Sequence, residues 1–280
     1  MSLKSAVIAE RLVLGYPGKV AVDASTFAIP AGSVTAVIGP NGSGKSTMLN
    51  AIAGLLEPLA GSLDVPARRN GMRRIAYVLQ TTKVNDALPI TVREVVAMGR
   101  YPGLGLYGRL TADDRQAVAA AMHRTGIEPL ASRHLHELSG GQRQRVFVAQ
   151  GLAQDHAILM LDEPLTGIDL PTAQAIDEVI HDERNQGCTV IMTTHDLSEA
   201  SVADFVVLLS GKVVAAGPPG EILTRENLVA AYGHALLHVD EGTMFIDDPA
   251  HIPIPGRHTH MQRTIHTDAN PSDHDPETQR

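Results

Sequence analysis

"GPNGSGKST", residues 39–47, is the stretch from which the rest of the chain can be read. From Gly39 to Ser46 it fits the pattern G-x-x-x-x-G-K-[ST]. Just upstream, "GSVTAVIGP" has the composition of a buried strand, and downstream "KSTMLNAIAGLL" carries the apolar spacing of a helix. A glycine-rich turn between strand and helix lets backbone N–H groups converge on phosphate oxygens, and the helix adds its positive N-terminal end. In such a loop Lys45 would reach the β and γ phosphates of a nucleotide, and the Ser46 hydroxyl would ligate Mg²⁺. The plainer alternative, a glycine turn that happens to precede a helix, is disfavoured by the strand on one side and the helix on the other.

Further along, "AILMLDEP" (157–164) is an apolar strand that delivers Asp162 and Glu163 to its carboxyl end. Ligands of α/β sheets bind at that end. Asp162 would hold Mg²⁺, most simply through water, and Glu163 is placed to polarise or deprotonate an attacking water. The same string alone could be a strand ending in two solvated acids. Around these two motifs strand-like and helix-like segments alternate. "RIAYVLQ" (74–80), "PTAQAIDEVIHDE", "TVIMTTH", "DLSEASVA", "DFVVLLSG" and "KVVAAG" follow one another in chain order. That order predicts an α/β fold with a mainly parallel sheet covered by helices. "AVIAERLVLGY" and "VAVDASTFAIP" in the first thirty residues alternate like strands. Residues 81–155 read as helical. Thr91 with Glu94 forms a capping box, Thr111 with Asp113 and Asp114 opens another helix, and "YPGLGLYG" (101–108) connects them.

"LSGGQRQR" (138–145) resembles a second anion-binding loop. Locally it is a capping box, with Ser139 as N-cap and Gln142 three residues on. That explains Ser139 and Gln142 but not Gly140 and Gly141, which weaken the first turn of a helix. Bare backbone at a helix N-terminus suits a close phosphate. One nucleotide has one phosphate tail, and Gly39–Thr47 already face it. The spare loop is best used on a nucleotide held by a second copy, so two chains arranged head-to-tail would bury two ATP molecules between them.

Composition narrows the setting. The chain has 280 residues, 44% of them hydrophobic, with a net charge of −8, enough for one large core or two modest ones. No Lys/Arg block suggests a nucleic-acid partner. Cys188 is the only cysteine, which rules out an intrachain disulfide and fits a reducing, cytoplasmic compartment. It reads as a small residue packed at a strand start. The apolar runs "AILML" and "FVVLL" are too short to cross a bilayer, and the N-terminus lacks a signal-type apolar run. Beyond residue 232 periodicity is lost. His251, His258, His260, His266 and His274 lie in a polar, proline-containing stretch expected to be disordered over 251–280. It is either a polar end with incidental histidines or a weak Zn²⁺ site.

"GPNGSGKST", Gln80 in "YVLQ", "LSGGQ", "ILMLDEP", "TGID" and His195 in "TTHD" occur in the order found in ATP-binding cassette ATPases, and the resemblance covers nearly all of residues 5–232. It implies a P-loop, RecA-like core with an N-terminal antiparallel β subdomain and an inserted helical subdomain near 81–155. Residues 1–232 would form the ATPase domain and 233–280 an extension. ATP and Mg²⁺ are the implied cofactors. Gly39, Pro40, Asn41, Gly42, Ser43, Gly44, Lys45, Ser46 and Thr47 would bind the phosphates, with Tyr16 stacking on adenine. Ser46, Asp162 and Gln80 would hold the metal. Glu163 would be the base, and Gln80 and His195 would act beside it. Ser139, Gly140, Gly141, Gln142 and Asp169 would meet the nucleotide of the opposite chain.

The stretch "LPITVREVVAMGRYPGLGLYGRLTADDRQAV" and the ending "AGPPGEILTRENLVAAYG" resemble the group that imports zinc or manganese. Ferric siderophore and cobalamin importers have a similar pattern. The resemblance implies an integral membrane permease, an extracytoplasmic metal-binding protein, a homodimer of cassettes and a place at the cytoplasmic face of the membrane. Two other classes fit less well. Soluble cassette proteins of repair or translation carry two cassettes or a long coiled coil, and a metal-responsive scaffold would not need intact Lys45, Asp162 and Glu163.

Overall fold

A computed structural model describes residues 4–71, 74–80, 88–104, 108–233, 237–240 and 243–246. Its centre is β3 (Val34–Ile38), buried at every position. A strand can be apolar throughout only when both faces of its sheet are covered. Two strands precede it, β1 (Ser5–Tyr16) and β2 (Lys19–Pro30), paired antiparallel through a tight turn at Gly18, whose φ is 80°. On the other edge of β1 lies β4 (Ala60–Asp64), giving the order β2-β1-β4. This third strand is absent from the sequence reading. "AGSLD" is short, mostly exposed and carries glycine, so it shows no alternation.

The main sheet adds β5 (Ile75–Val78), β6 (Ile158–Asp162), β7 (Thr189–Thr194), β8 (Phe205–Leu209) and β9 (Val213–Gly217). Its order is β5-β6-β7-β3-β8-β9, parallel except for β9, which runs antiparallel to β8. The chain leaves β3 on one side, returns beside it as β7, and then places β8 on its other side. The crevice outside the carboxyl end of β3 is therefore a topological switch point, where open α/β sheets bind ligands.

Helix α1 (Lys45–Ala53) follows β3 directly. Between β5 and β6 the chain inserts α2 (Val92–Ala97), α3 (Ala112–Arg124) and α4 (Gly140–Leu152). Then come α5 (Leu170–Asn185), α6 (Leu197–Ser201), α7 (Pro219–Ile222) and α8 (Arg225–Tyr232). Thr91 closes the capping box with Glu94 that its spacing predicts, and Thr111, read as a helix opening, closes one with Asp114. Period-2 alternation splits the core in two. Ala36, Ile38, Leu159, Leu161, Val190 and Met192 face the layer that contains Val96, Val118, Val148 and Val179. Val37, Ile158, Met160, Ile191 and Val207 face α1 and the antiparallel sheet, meeting Leu12, Leu14, Ile29, Leu49 and Ile52. The mixed architecture is the α/β class expected, with the N-terminal antiparallel sheet and the helical insertion in place.

Residues Met1–Ile246 form one compact unit. Within it β10 (Leu237–Asp240) and β11 (Thr243–Ile246) pair as a hairpin, although no periodicity is legible there. The histidine-containing stretch 251–280 lies outside the described residues, as do 81–87 and 105–107 of the segment read as helical and connecting.

Candidate active site

The turn from β3 into α1 folds back on its own lysine. Lys45 is buried, and its Nζ donates to the carbonyl oxygens of Gly39 at 2.8 Å and Pro40 at 3.2 Å. The glycines have distinct causes. At Gly44 φ is 104°, and a Cβ would lie 2.5 Å from Val22 Cγ2, so the loop presses against β2. At Gly42, with φ 79°, nothing is near and only the conformation demands glycine. Gly211 N–H donates to Ser43 O, fastening the loop to the β8–β9 connection. The Ser43 hydroxyl is buried and finds no hydrogen-bond partner among the described residues. Ser46 is exposed, Thr47 half-buried and Asn41 exposed, at the mouth of the turn.

Beside this loop, β6 and β7 end in register, with Asp162 opposite Thr193. The Thr193 hydroxyl donates to Asp162 Oδ1 at 2.6 Å and accepts from the Glu163 backbone N–H at 2.8 Å. One fully buried hydroxyl thus orients both acids. Glu163 has φ 48°, the left-handed region that a non-glycine residue adopts only when its surroundings impose it. Its Oε2 accepts from Gln80 Nε2 at 2.6 Å and lies 4.0 Å from His195 Nδ1. Tyr77 on β5 bonds the Asp162 carboxylate. Burial first, then the charge and hydrogen bond of Asp162, push the Tyr77 pKa above the ordinary tyrosine value. Lys45, Asp162, Glu163, Gln80 and His195 therefore belong to the carboxyl edge of one sheet. Thr193 and Tyr77 escape a reading of the sequence, because their role depends on which strands are neighbours.

The "SGGQ" turn forms the predicted capping box. Ser139 N–H donates to Gln142 Oε1 at 3.0 Å, and Gln142 N–H donates to Ser139 Oγ at 3.3 Å. Its two glycines differ. A Cβ on Gly141 would come within 2.8 Å of Thr172 Oγ1 and 3.2 Å of Asp169 Oδ2, so the first turn of α4 packs on the start of α5. Asp169 caps α5 by accepting from Thr172 N–H at 2.8 Å, and that bond holds its pKa below the usual carboxylate range. Gly140 meets nothing within 4 Å. Packing within the chain accounts for Gly141 and leaves Gly140 unexplained. Tyr16 ends β1 with its ring half exposed.

The donor set suits a nucleotide with a hydrated Mg²⁺. The loop combines a buried ammonium with a buried hydroxyl that finds no partner among the described residues, ahead of a helix N-terminus, all phosphate-binding features. Ser46, Asp162 and Gln80 offer only oxygen ligands, the type that Mg²⁺ takes.

The family profile described as ABC transporter matches residues 22–166. The manganese transport system ATP-binding protein MntB of Listeria innocua is 39% identical over 227 residues, covering 80% of this chain and 95% of that protein. The ferric enterobactin transport ATP-binding protein FepC of Escherichia coli is 39% identical over 243 residues, covering 83% and 89%. Among solved structures, a chain of a metal-chelate type ABC transporter in an inward-facing conformation superposes with a TM-score of 0.73 at 27% identity, covering 86% of this chain and 96% of that one.

Proposed function

The chain belongs to the ABC transporter family and is an ATP-hydrolysing cassette; from that premise we propose that it powers import of a metal ion, manganese before zinc, through a separate membrane permease. What supports the cargo is agreement between two sources. The segment after Gln80 resembles metal-ion importers, and the Listeria relative is named for manganese transport. The E. coli relative, named for ferric enterobactin, favours a second reading in which the cargo is a ferric siderophore. No helix among the described residues is long and apolar enough to cross a membrane. The reading supplies a permease to dock on, and an extracytoplasmic protein that delivers the cargo.

In this mechanism the loop 39–47 holds the phosphates of ATP, Lys45 turns its ammonium from the Gly39 and Pro40 carbonyls toward them, and Tyr16 stacks on adenine. Ser46, Asp162 and Gln80 would hold Mg²⁺, which supplies neutralising charge to the phosphate oxygens. Glu163 accepts the proton of the attacking water. For that its Oε2 must exchange the Gln80 amide, now 2.6 Å away, for the water. Thr193 keeps the acid aimed during that exchange by holding its backbone. His195 stands beside the same oxygen to stabilise the charge that develops. The "SGGQ" turn and Asp169 act on the nucleotide of a second copy, so that two chains share two ATP.

The test is uptake by the complete transporter in vesicles, with radiolabelled Mn²⁺, Zn²⁺ and a ferric siderophore offered in turn. We expect ATP-dependent Mn²⁺ uptake that disappears with Lys45→Ala. Siderophore uptake with no response to either free metal would overturn the metal-ion reading and leave the second.

A further inference from the structure

We propose that His156, Glu183 and Cys188 form a binding site for one zinc-class divalent cation, at the end of the sheet opposite the ATP site. His156 lies two residues before β6, Cys188 directly before β7, and Glu183 in the last turns of α5. One ligand atom from each falls within 4.8 Å of the others. The side chains of His156 and Glu183 are each 6% exposed, and Cys188 is buried. None of the three takes part in the nucleotide chemistry described above.

The hydrogen bonds around the cluster already orient the ligands. His156 Nδ1 is 2.9 Å from the Gln154 carbonyl oxygen, which can only accept. Nδ1 therefore carries a proton, and Nε2 is the nitrogen turned inward, 2.9 Å from Glu183 Oε2. A backbone carbonyl that fixes the outer ring nitrogen is the usual support of a metal-binding histidine. On Glu183 the other oxygen, Oε1, accepts from Arg124 Nη1 at 2.6 Å, leaving Oε2 to face the cluster. The Cys188 thiol makes a long contact of 3.6 Å to the Thr189 carbonyl and also contacts His156.

His156 Nε2 thus faces both other ligands, Glu183 and Cys188. Arg124 also lies 3.8 Å from Asp182, and Asp155, beside His156 in the chain, pairs with Arg74 at 3.5 Å. A divalent cation bound here would take the place of protons on its ligands, which must be deprotonated to coordinate it. Tetrahedral zinc sets its ligand atoms about 3.3–3.7 Å apart, so the cluster needs shifts of about an ångström. Thiolate with imidazole selects zinc-class ions over Mg²⁺. The bound ion would join β6, β7 and α5, with Arg124 extending the link to α3.

The experiment titrates the full-length protein, free of nucleotide, with Co²⁺ as a spectroscopic substitute for Zn²⁺. Because Cys188 is the only cysteine, a thiolate-to-cobalt charge-transfer band reports this site and is blind to histidines elsewhere. We expect a band that saturates at one Co²⁺ per chain, is bleached by equimolar Zn²⁺, and appears with release of protons. It should vanish in Cys188→Ala, and binding should weaken in His156→Gln by more than the roughly 10–100-fold that loss of a supporting partner causes, with ATPase activity confirming that each variant is folded. No band in the folded wild-type protein, or one undiminished in His156→Gln, overturns the site and leaves a buried ion-pair cluster.

Discussion

The two acids at the end of β6 sit at adjacent positions in different surroundings, which suits the different roles proposed for them. Asp162 is buried under Thr193 and Tyr77, whereas Glu163 is turned by its φ of 48° toward Gln80 and His195. Glu163→Gln should therefore abolish turnover and spare ATP binding, because the amide keeps the shape but is a far poorer base. The expected fall in phosphate release is about 10²–10⁴-fold, with nucleotide affinity measured alongside, and near-normal turnover would contradict the assignment. Thr193→Val is nearly isosteric, but it strips a donor from Asp162 and an acceptor from the Glu163 N–H. An unsatisfied buried polar group costs about 1–3 kcal/mol, so thermal stability should fall as well as hydrolysis rate. Thermal melts and turnover of this variant check both effects. Loss of neither would mean that Thr193 orients nothing. Lys45, Asp162 and Glu163 are legible in the sequence because their motifs are local. Thr193 becomes visible only through the parallel register of β6 and β7.

Helix starts are legible for the same local reason. The capping boxes at Thr91, Thr111 and Ser139 each close within three residues. Contacts between elements are not legible, and the double glycine of α4 shows the difference. In the sequence Gly140 and Gly141 look equivalent, whereas in the fold Gly141 is pressed against Thr172 and Asp169 and Gly140 faces open space. Gly140→Ala should keep or raise stability, since alanine is favoured over glycine in a helix by up to about 1 kcal/mol, yet it should suppress hydrolysis if Gly140 meets a partner's phosphate. Gly141→Ala should destabilise the chain by forcing α4 away from α5. Thermal melts and ATPase assays on both variants separate the two causes, and full activity in Gly140→Ala would remove the phosphate from that face. Strand β4 does not stand out because its run is mostly exposed and carries glycine, whereas the equally short β5 is legible from the apolar "IAYV".

For the molecule as a whole, alternating strands and helices made the parallel sheet legible, and ordered motifs made the ATPase legible. The cargo is harder to read, since an ATPase subunit carries its imprint only where it would touch the permease. Tyr101 lies on that candidate surface with its ring half exposed. Tyr101→Ala should lower metal uptake while leaving hydrolysis by the isolated subunit near wild type, and equal losses would mark the segment as support for the core. The central claim is that each ATP is hydrolysed between Lys45 of one copy and Ser139 of another. Mixing Lys45→Ala chains with Ser139→Arg chains tests it directly, since each is inactive alone and a mixed pair rebuilds one intact site. With random pairing in a closed twofold assembly, the account predicts recovery of roughly a quarter of wild-type turnover. No recovery in mixtures whose pairing is demonstrated would contradict it.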